Sequence, residues 1–433
     1  MKRILGAGVS VFALATLAVA EDTQSLTVRL GAQAGRNLDL TAGGQALGSS
    51  YSTVLSYVGQ SSTPTLTFGY DAETEVVGET AGLPSGGLSV GYQGARTAVS
   101  FDARLDQQRV SDLNYALNSN GSVVAYRGQG VREVTSTGLS VSSGQDTPVR
   151  FSFDVGRTEI GYRDTVSADF YGSVSRSLTG AAIFDFTSMT SASAQFSYSD
   201  YVADNLLATQ RQSRSIVFGL SQRIDAITSA TLTVGETSLE TGLGGVSVVS
   251  DGPSLSAGLV RERQTGEVGL EFSRDLTATG QRQSLELSAK REAQSNALSG
   301  SFGVTKGAAQ RDWIGALTYG AELPRQDVSL SLSRQVTVDD DNRDVLSTSL
   351  VGRLQHEFTQ ADRLDLSVGF SSFEETASQT DRLDMTVSYD REMAQDVHVT
   401  AGLSYRFAAV TGEADGESQA VFLRISKEFD TSR

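Results

Sequence analysis

The chain has 433 residues, with 51 acidic against 35 basic side chains, two histidines, no cysteine and a net charge of −16. An acidic balance of this size argues against nucleic acid as a partner. The absence of cysteine excludes disulfides, thiolate metal sites and a lipidated N-terminal cysteine. Five prolines and 44 glycines suit long uninterrupted ladders joined by tight turns.

The first twenty residues have the layout of a secretory signal. Lys2 and Arg3 give a positive start, Ile4 to Val19 is a short apolar run, and Ala18-Val19-Ala20 is a small-x-small cleavage site. Cleavage there leaves a 413-residue chain beginning at Glu21, and loss of Lys2 and Arg3 takes the charge from −16 to −18. Nothing later reaches eighteen uninterrupted apolar residues, so no spanning helix is expected.

From Ser25 the chain reads as period-two runs with short breaks. Leu26, Val28, Leu30, Ala32 and Ala34 alternate straight after the cleavage site, leaving no room for an N-terminal plug. A run at Tyr51 to Val58 is followed by a turn at Ser61-Ser62-Thr63-Pro64, then by Leu66, Phe68 and Tyr70. Leu88, Val90 and Tyr92 alternate, Gly94-Ala95 breaks, and Val99, Phe101, Ala103 and Leu105 resume around Ser100, Asp102 and Arg104. Residues 107–133 read as a long loop with one strand near Ser122 to Tyr126. Thr137, Leu139 and Val141 lead through Ser143-Gly144-Gln145-Asp146 to Val149, Phe151, Phe153 and Val155, interleaved with Arg150 and Asp154.

Further runs are expected at 166–174, 182–198, 214–220, 230–238, 254–261, 268–278, 284–290, 298–304, 313–319, 328–338 and 346–354. The segment 182–198 reads as one long strand or two joined near Ser188. Breaks look tight at 264–266 and 279–280, and longer at Ser199 to Ser213 and Glu240 to Asp251. The last seventy residues repeat the pattern most cleanly: Leu364, Leu366, Val368, Phe370; then Leu383, Met385, Val387, Tyr389; then Val399, Ala401, Leu403, Tyr405; then Val421, Leu423, Ile425. Allowing roughly 17 to 22 residues per strand and its share of loop, 18 to 24 strands fit, with an even number near 20 expected.

The positions between these apolar residues carry both signs of charge: Asp102, Arg104, Arg150, Asp154, Glu271, Glu286, Arg363, Asp365, Arg382, Asp384, Arg406 and Arg424. Charge is tolerated on such a face where it is wet or paired. On the apolar face a basic residue recurs between two apolar ones near strand ends, at Arg176, Arg274, Arg334, His356, Arg391 and Lys427. That placement suits a lipid interface, where the stem lies along apolar surface and the charge snorkels outward.

The signal, the alternating strands and a last strand ending in Phe429 resemble a Gram-negative outer-membrane β-barrel. The resemblance implies an all-β, single large antiparallel transmembrane barrel over residues 21–433, with extracellular loops and short periplasmic turns. It also implies Sec-type export through the periplasm and residence in the outer membrane. Phe429 would be the terminal aromatic read by the barrel-assembly machinery, although Asp430 to Arg433 extend past it and Lys427 interrupts its face. Periplasmic chaperones, outer-membrane lipid and lipopolysaccharide are the implied partners. Monomer and trimer both stay open.

Catalytic signals are weak. Gly87-Leu88-Ser89-Val90-Gly91 has the letters of a nucleophile elbow, but that motif needs a strand, a sharp turn and a helix, and here a strand continues. His398 falls on the polar face without an evident catalytic partner. Asp339-Asp340-Asp341-Asn342-Arg343-Asp344 is the densest acidic run. It lacks the glycine and closing glutamate of a calcium loop and reads as a solvated tip, with divalent ions as the alternative. No phosphate loop, zinc spacing or nucleotide fingerprint appears, so no enzyme and no cofactor are expected. The expected function is a passive, porin-like channel for small hydrophilic solutes or ions. The alternatives are an export barrel for polysaccharide or another surface product, and a surface-attached β-rich adhesin.

Overall fold

The computed structural model describes residues 21–77, 80–112, 129–165, 170–307, 311–339, 342–375, 378–394 and 396–430. The expected signal segment 1–20, the expected strand at Ser122 to Tyr126 and Asp340-Asp341 lie outside the described residues. Twenty-two strands make one sheet. They are β1 Glu21–Arg36, β2 Leu47–Ser62, β3 Leu66–Val77, β4 Thr80–Gln93, β5 Thr97–Arg109, β6 Val131–Ser143, β7 Val149–Arg163 and β8 Ser173–Asp185. Next come β9 Thr190–Ala203, β10 Gln210–Arg223, β11 Thr228–Leu243, β12 Val246–Arg263, β13 Gly266–Thr277, β14 Gly280–Ala293 and β15 Asn296–Lys306. The last are β16 Arg311–Leu323, β17 Gln326–Val338, β18 Asp344–Glu357, β19 Asp362–Glu374, β20 Gln379–Ala394, β21 Val397–Val410 and β22 Gly416–Asp430. One 3-10 turn, Val110–Asp112, is the only helical element among the described residues.

Each strand pairs antiparallel with its sequence neighbours, and β1 pairs with β22 as well as β2, so the sheet closes without an edge. Closure satisfies the backbone groups that would otherwise be stranded in an apolar surrounding. Direct partners share a face, and the two faces propagate consistently around the ring. Leu30 sits opposite Ile425, Ile425 opposite Val399, and Val399 opposite Arg391, which faces Asp362. The outward face is apolar and strongly exposed, as at Leu403 (59%) and Phe218 (62%). Aromatic side chains collect on it at one end, with Phe151 and Phe184 edge to face at 6.5 Å and His356 against Phe358 at 4.7 Å.

The count of 22 falls within the expected 18 to 24. The long segment 182–198 is two strands, β8 and β9, turning at 186–189. Three boundaries differ from expectation. Of the run placed at 166–174, residues 166–169 lie outside the described residues, 170–172 are not strand, and β8 starts only at Ser173. The break expected at Ser199 to Ser213 is only 204–209, and that at Glu240 to Asp251 shrinks to Gly244-Gly245, both at positive φ. Polar side chains inside long strands had disguised ladder as loop: Thr237 and Ser254, on the wall of β11 and β12, hydrogen-bond each other at 2.8 Å.

At the end where β1 starts and β22 finishes, every connection has two to five residues. At the other end four connections are longer, 37–46, 110–130, 164–172 and 204–209. The seam between β1 and β22 is tight near that second end. A Cβ on Gly35 would lie 2.1 Å from the Gln419 carbonyl oxygen and 2.7 Å from the Ala420 Cα, both backbone atoms that cannot swing aside. Gly35→Val should therefore push the seam apart and lower the temperature at which the compact barrel band converts to the unfolded band on a heat-modifiability gel. An unchanged conversion temperature would refute this.

Candidate functional site

The register places all twelve charged positions of the polar face on the inward side. Asp102 lies opposite Ser89 and Gly138, Asp154 opposite Ser140, and Arg406 opposite Asp384 and Ser418. Much of this inner wall is a hydroxyl lattice. Ser215, Thr237 and Ser254 link three strands, and Ser273–Ser284 and Ser333–Ser349 bridge two more pairs at 2.6 and 2.7 Å.

The twelve charges divide into groups. Arg150 pairs with Asp185 at 3.0 Å, and Arg363 with Asp365 at 3.1 Å. Arg382 makes a two-pronged contact with Asp384, Nε to Oδ2 at 2.8 Å and Nη2 to Oδ1 at 3.1 Å, with both residues buried. Glu271 and Glu286 stand directly opposite each other on β13 and β14, an arrangement that repels unless water separates the carboxylates. Asp102, Arg104 and Asp154 make no ion pair with a described residue.

The connection 37–46 and the described start of the connection after β5, Val110–Asp112, fold back onto this wall. In the connection 37–46, Leu40 is wholly buried at φ +54, a conformation a leucine keeps only where its surroundings impose it. Asn37 ties the loop down, donating to the carbonyls of Thr41 at 2.9 Å and Glu417 at 3.0 Å. In the second loop Val110 and Ser111 are buried. The Arg406 guanidinium joins both loops. It donates to the Ser111 carbonyl at 2.6 Å and to the Leu38 carbonyl at 2.5 Å. Arg382 donates to the same Ser111 carbonyl at 3.4 Å. A chain segment following β5 is thus held against β20 and β21, which along the shorter arc of the ring are separated from β5 by β4, β3, β2, β1 and β22. The contact bridges that arc on the polar face, the face that points inward.

Beside this latch lies a polar recess of about 340 Å³, bounded by Arg406 and Arg424, Asp384, Glu75 and Arg109. Its two sides differ in charge. Asp71, Glu73 and Glu75 all fall on the inward face of β3, whereas Arg382, Arg406 and Arg424 form a stripe across β20, β21 and β22. A lumen with acid on one wall and base on the adjoining wall has a field across its axis, strengthened where loops exclude water.

The acidic trio on β3 and the latch residues Leu38, Leu40, Val110 and Ser111 are absent from the sequence-derived set. The trio was legible from Asp71, Glu73 and Glu75 alternating with Tyr70, Ala72 and Thr74. The latch had no local signal.

The six basic positions of the apolar face occupy the outward side at two levels. Arg176, Arg274 and Arg334 lie toward the long-loop end, and His356, Arg391 and Lys427 toward the short-turn end. Several are engaged there: Arg176 with Asp200 at 2.9 Å, Arg334 over the Trp313 ring at 4.4 Å, Arg391 with Asp362 at 3.6 Å, and Lys427 over Phe429 at 4.9 Å. Phe429 itself pairs with Leu26 at the seam.

Ser89 continues β4 and donates to the Gly69 carbonyl at 3.4 Å, without the turn an elbow requires. His398 lies 3.3 Å from Asp390, which also accepts from Thr400 at 2.6 Å. In the acidic connection, Asp339 accepts from the Arg343 backbone at 2.7 Å and its guanidinium at 3.0 Å, and Asp344 pairs with Arg282 at 2.6 Å. Both carboxylates are committed within the protein. Among the described residues no group of three or more metal-ligating side chains is placed to hold an ion.

No protein-family model matches the sequence, and no curated protein does. Solved structures do match in fold. The FrpB iron transporter from Neisseria meningitidis (F3-3 variant) aligns over 94% of this chain and 81% of its own, at 10% identity and a TM-score of 0.58. The ferric-catecholate import receptor Fiu from E. coli K12 aligns over 93% and 81%, at 10% identity and 0.59. A mutant ferric enterobactin receptor from Pseudomonas aeruginosa, in complex with enterobactin, aligns over 96% and 82%, at 9% identity and 0.56. At such identities the shared property is architecture: the chain has the fold of a Gram-negative outer-membrane β-barrel, here a closed ring of 22 strands.

Proposed function

We propose that the protein resides in the outer membrane and gives small hydrophilic solutes or ions a passive, water-filled route across it. The observation that carries this reading is the wet inner face: acidic β3 and basic β20 to β22 border one polar recess inside a closed sheet. The belt of exposed apolar side chains supports the membrane setting, since a soluble monomer rarely shows contiguous apolar surface on this scale. In this reading the segment 1–20 is a signal removed on export and the short turns face the periplasm. The assembly machinery reads Phe429 after chaperones deliver the chain, and the outward basic residues meet lipid and lipopolysaccharide phosphate. No reaction is part of it.

Purified protein in planar bilayers should give discrete conductance steps with a cation preference. The triple substitution Asp71→Asn, Glu73→Gln, Glu75→Gln should move the reversal potential toward anions. A change in permeability ratio of about threefold or more is expected, since one unit charge at contact distance in water is worth ~1 kcal/mol. A silent bilayer, or a reversal potential unmoved by the substitutions, would remove the channel reading.

A second reading is uptake of a ferric chelate, favoured by the fold shared with the FrpB iron transporter and the ferric-catecholate import receptor Fiu. Growth on a ferric chelate that depends on this protein, with a silent bilayer, would select it. Loss of a surface polymer on deletion would instead select an export barrel. Release from membranes by washing without detergent would select the adhesin.

A further inference from the structure

The outward wall from β12 to β18 contains a groove of about 690 Å³, within the range of sites that hold a small molecule. It runs obliquely across the strands. Its floor is low where Gly266, Ala289, Gly300 and Gly315 lie, each stepping to the next strand through the pairings Gly266–Arg291, Ala289–Gly300 and Phe302–Gly315. Apolar side chains stand on both sides, and Phe302 stacks on Trp313 at 6.4 Å. The far end is closed by Arg334, already committed to Trp313, to Thr348 at 3.0 Å and to Glu374 at 3.6 Å.

The near end, at the short-turn rim, is different. Arg263 and Arg291 are both directly opposite Gly266, one on each side, so their backbones are about 10 Å apart with no side chain between them. Neither makes an ion pair or side-chain hydrogen bond with a described residue. The acidic neighbours are turned away: Glu262 and Glu267 face each other on the inward side, and Glu292 is paired with Lys290 at 2.6 Å. Two adjacent guanidiniums at the mouth of an apolar groove suit one phosphate attached to an acyl chain.

We infer that this groove holds one anionic phospholipid, its phosphate between Arg263 and Arg291 over Gly266 and an acyl chain in the trench toward Trp313. The inference rests on the membrane reading above. The test is native mass spectrometry of the barrel in detergent with dioleoyl-phosphatidylglycerol, dioleoyl-phosphatidylcholine or inorganic phosphate added.

The expected result is a one-to-one adduct with phosphatidylglycerol that resists collisional activation. It should weaken about fivefold for each arginine removed in Arg263→Gln and Arg291→Gln, the worth of one basic side chain at an anionic membrane surface. Gly300→Leu, which fills the trench while keeping both arginines, should also abolish it. The heat-modifiability gel verifies that each variant is closed. Equal retention of phosphatidylcholine, retention unchanged in the variants, or displacement of the lipid by inorganic phosphate at equal concentration would overturn the proposal. A chain that stays soluble without detergent would overturn the membrane reading, and the lipid site with it.

Discussion

On the proposed channel reading, Arg406→Ala is expected to raise single-channel conductance and to produce frequent switching between two levels. The Arg406 guanidinium satisfies two carbonyls from loops that local sequence cannot place together, Ser111 at 2.6 Å and Leu38 at 2.5 Å. Removing it deletes two hydrogen bonds from a charged donor, the Ser111 carbonyl keeping the more distant Arg382 at 3.4 Å, at ~1–3 kcal/mol each. Even the low end, ~2 kcal/mol for the pair, shifts a two-state loop equilibrium about 30-fold toward the detached arrangement. Detached loops would widen the lumen beside the recess bounded by Arg424 and Glu75. Arg406→Lys separates charge from geometry, because one ammonium cannot reproduce the planar fork. Conductance in Arg406→Ala equal to that of the parent protein would show that the latch does not limit passage.

The second large effect concerns the pair beside it. Asp384→Leu should cost ~3–5 kcal/mol, because it leaves the Arg382 guanidinium buried without its carboxylate. The double substitution Arg382→Leu, Asp384→Leu should recover most of that loss, because the desolvation of both ions disappears together. Arg382 also reaches Ser111, so the double variant should remain partly unlatched and show raised conductance despite recovered stability. Denaturant-dependent loss of the compact gel band measures the first quantity and bilayer recording the second. A double variant as unstable as Asp384→Leu would mean that Arg382 acts mainly through the loop.

These two experiments lie where sequence and tertiary structure part company. Alternation with period two was enough to read an all-β chain, to sort Leu366, Val387 and Leu403 from Asp365, Thr386 and Ser404, and to bracket the strand number at 18 to 24, near 20, against the 22 of the structure. It worked because each strand carries its own face pattern and each pairing copies that pattern to its neighbour. Length and turn residues located most connections. They failed at 199–213 and 240–251, where polar residues inside a ladder resemble a loop, and at 170–172, which lie outside one.

Closure, and what closure brings together, belonged to the tertiary structure alone. The contacts of Arg382 and Arg406 with Ser111, and of Arg406 with Leu38, span 271, 295 and 368 positions of sequence. No local pattern encodes a separation of that size, since it becomes a contact only when β22 meets β1 and the closed ring sets the segments after β1 and β5 against β20 and β21. The charge split between β3 and β20 to β22 arises the same way. The residues on each strand set its polarity, and the curvature of the closed wall decided which polarities confront one another.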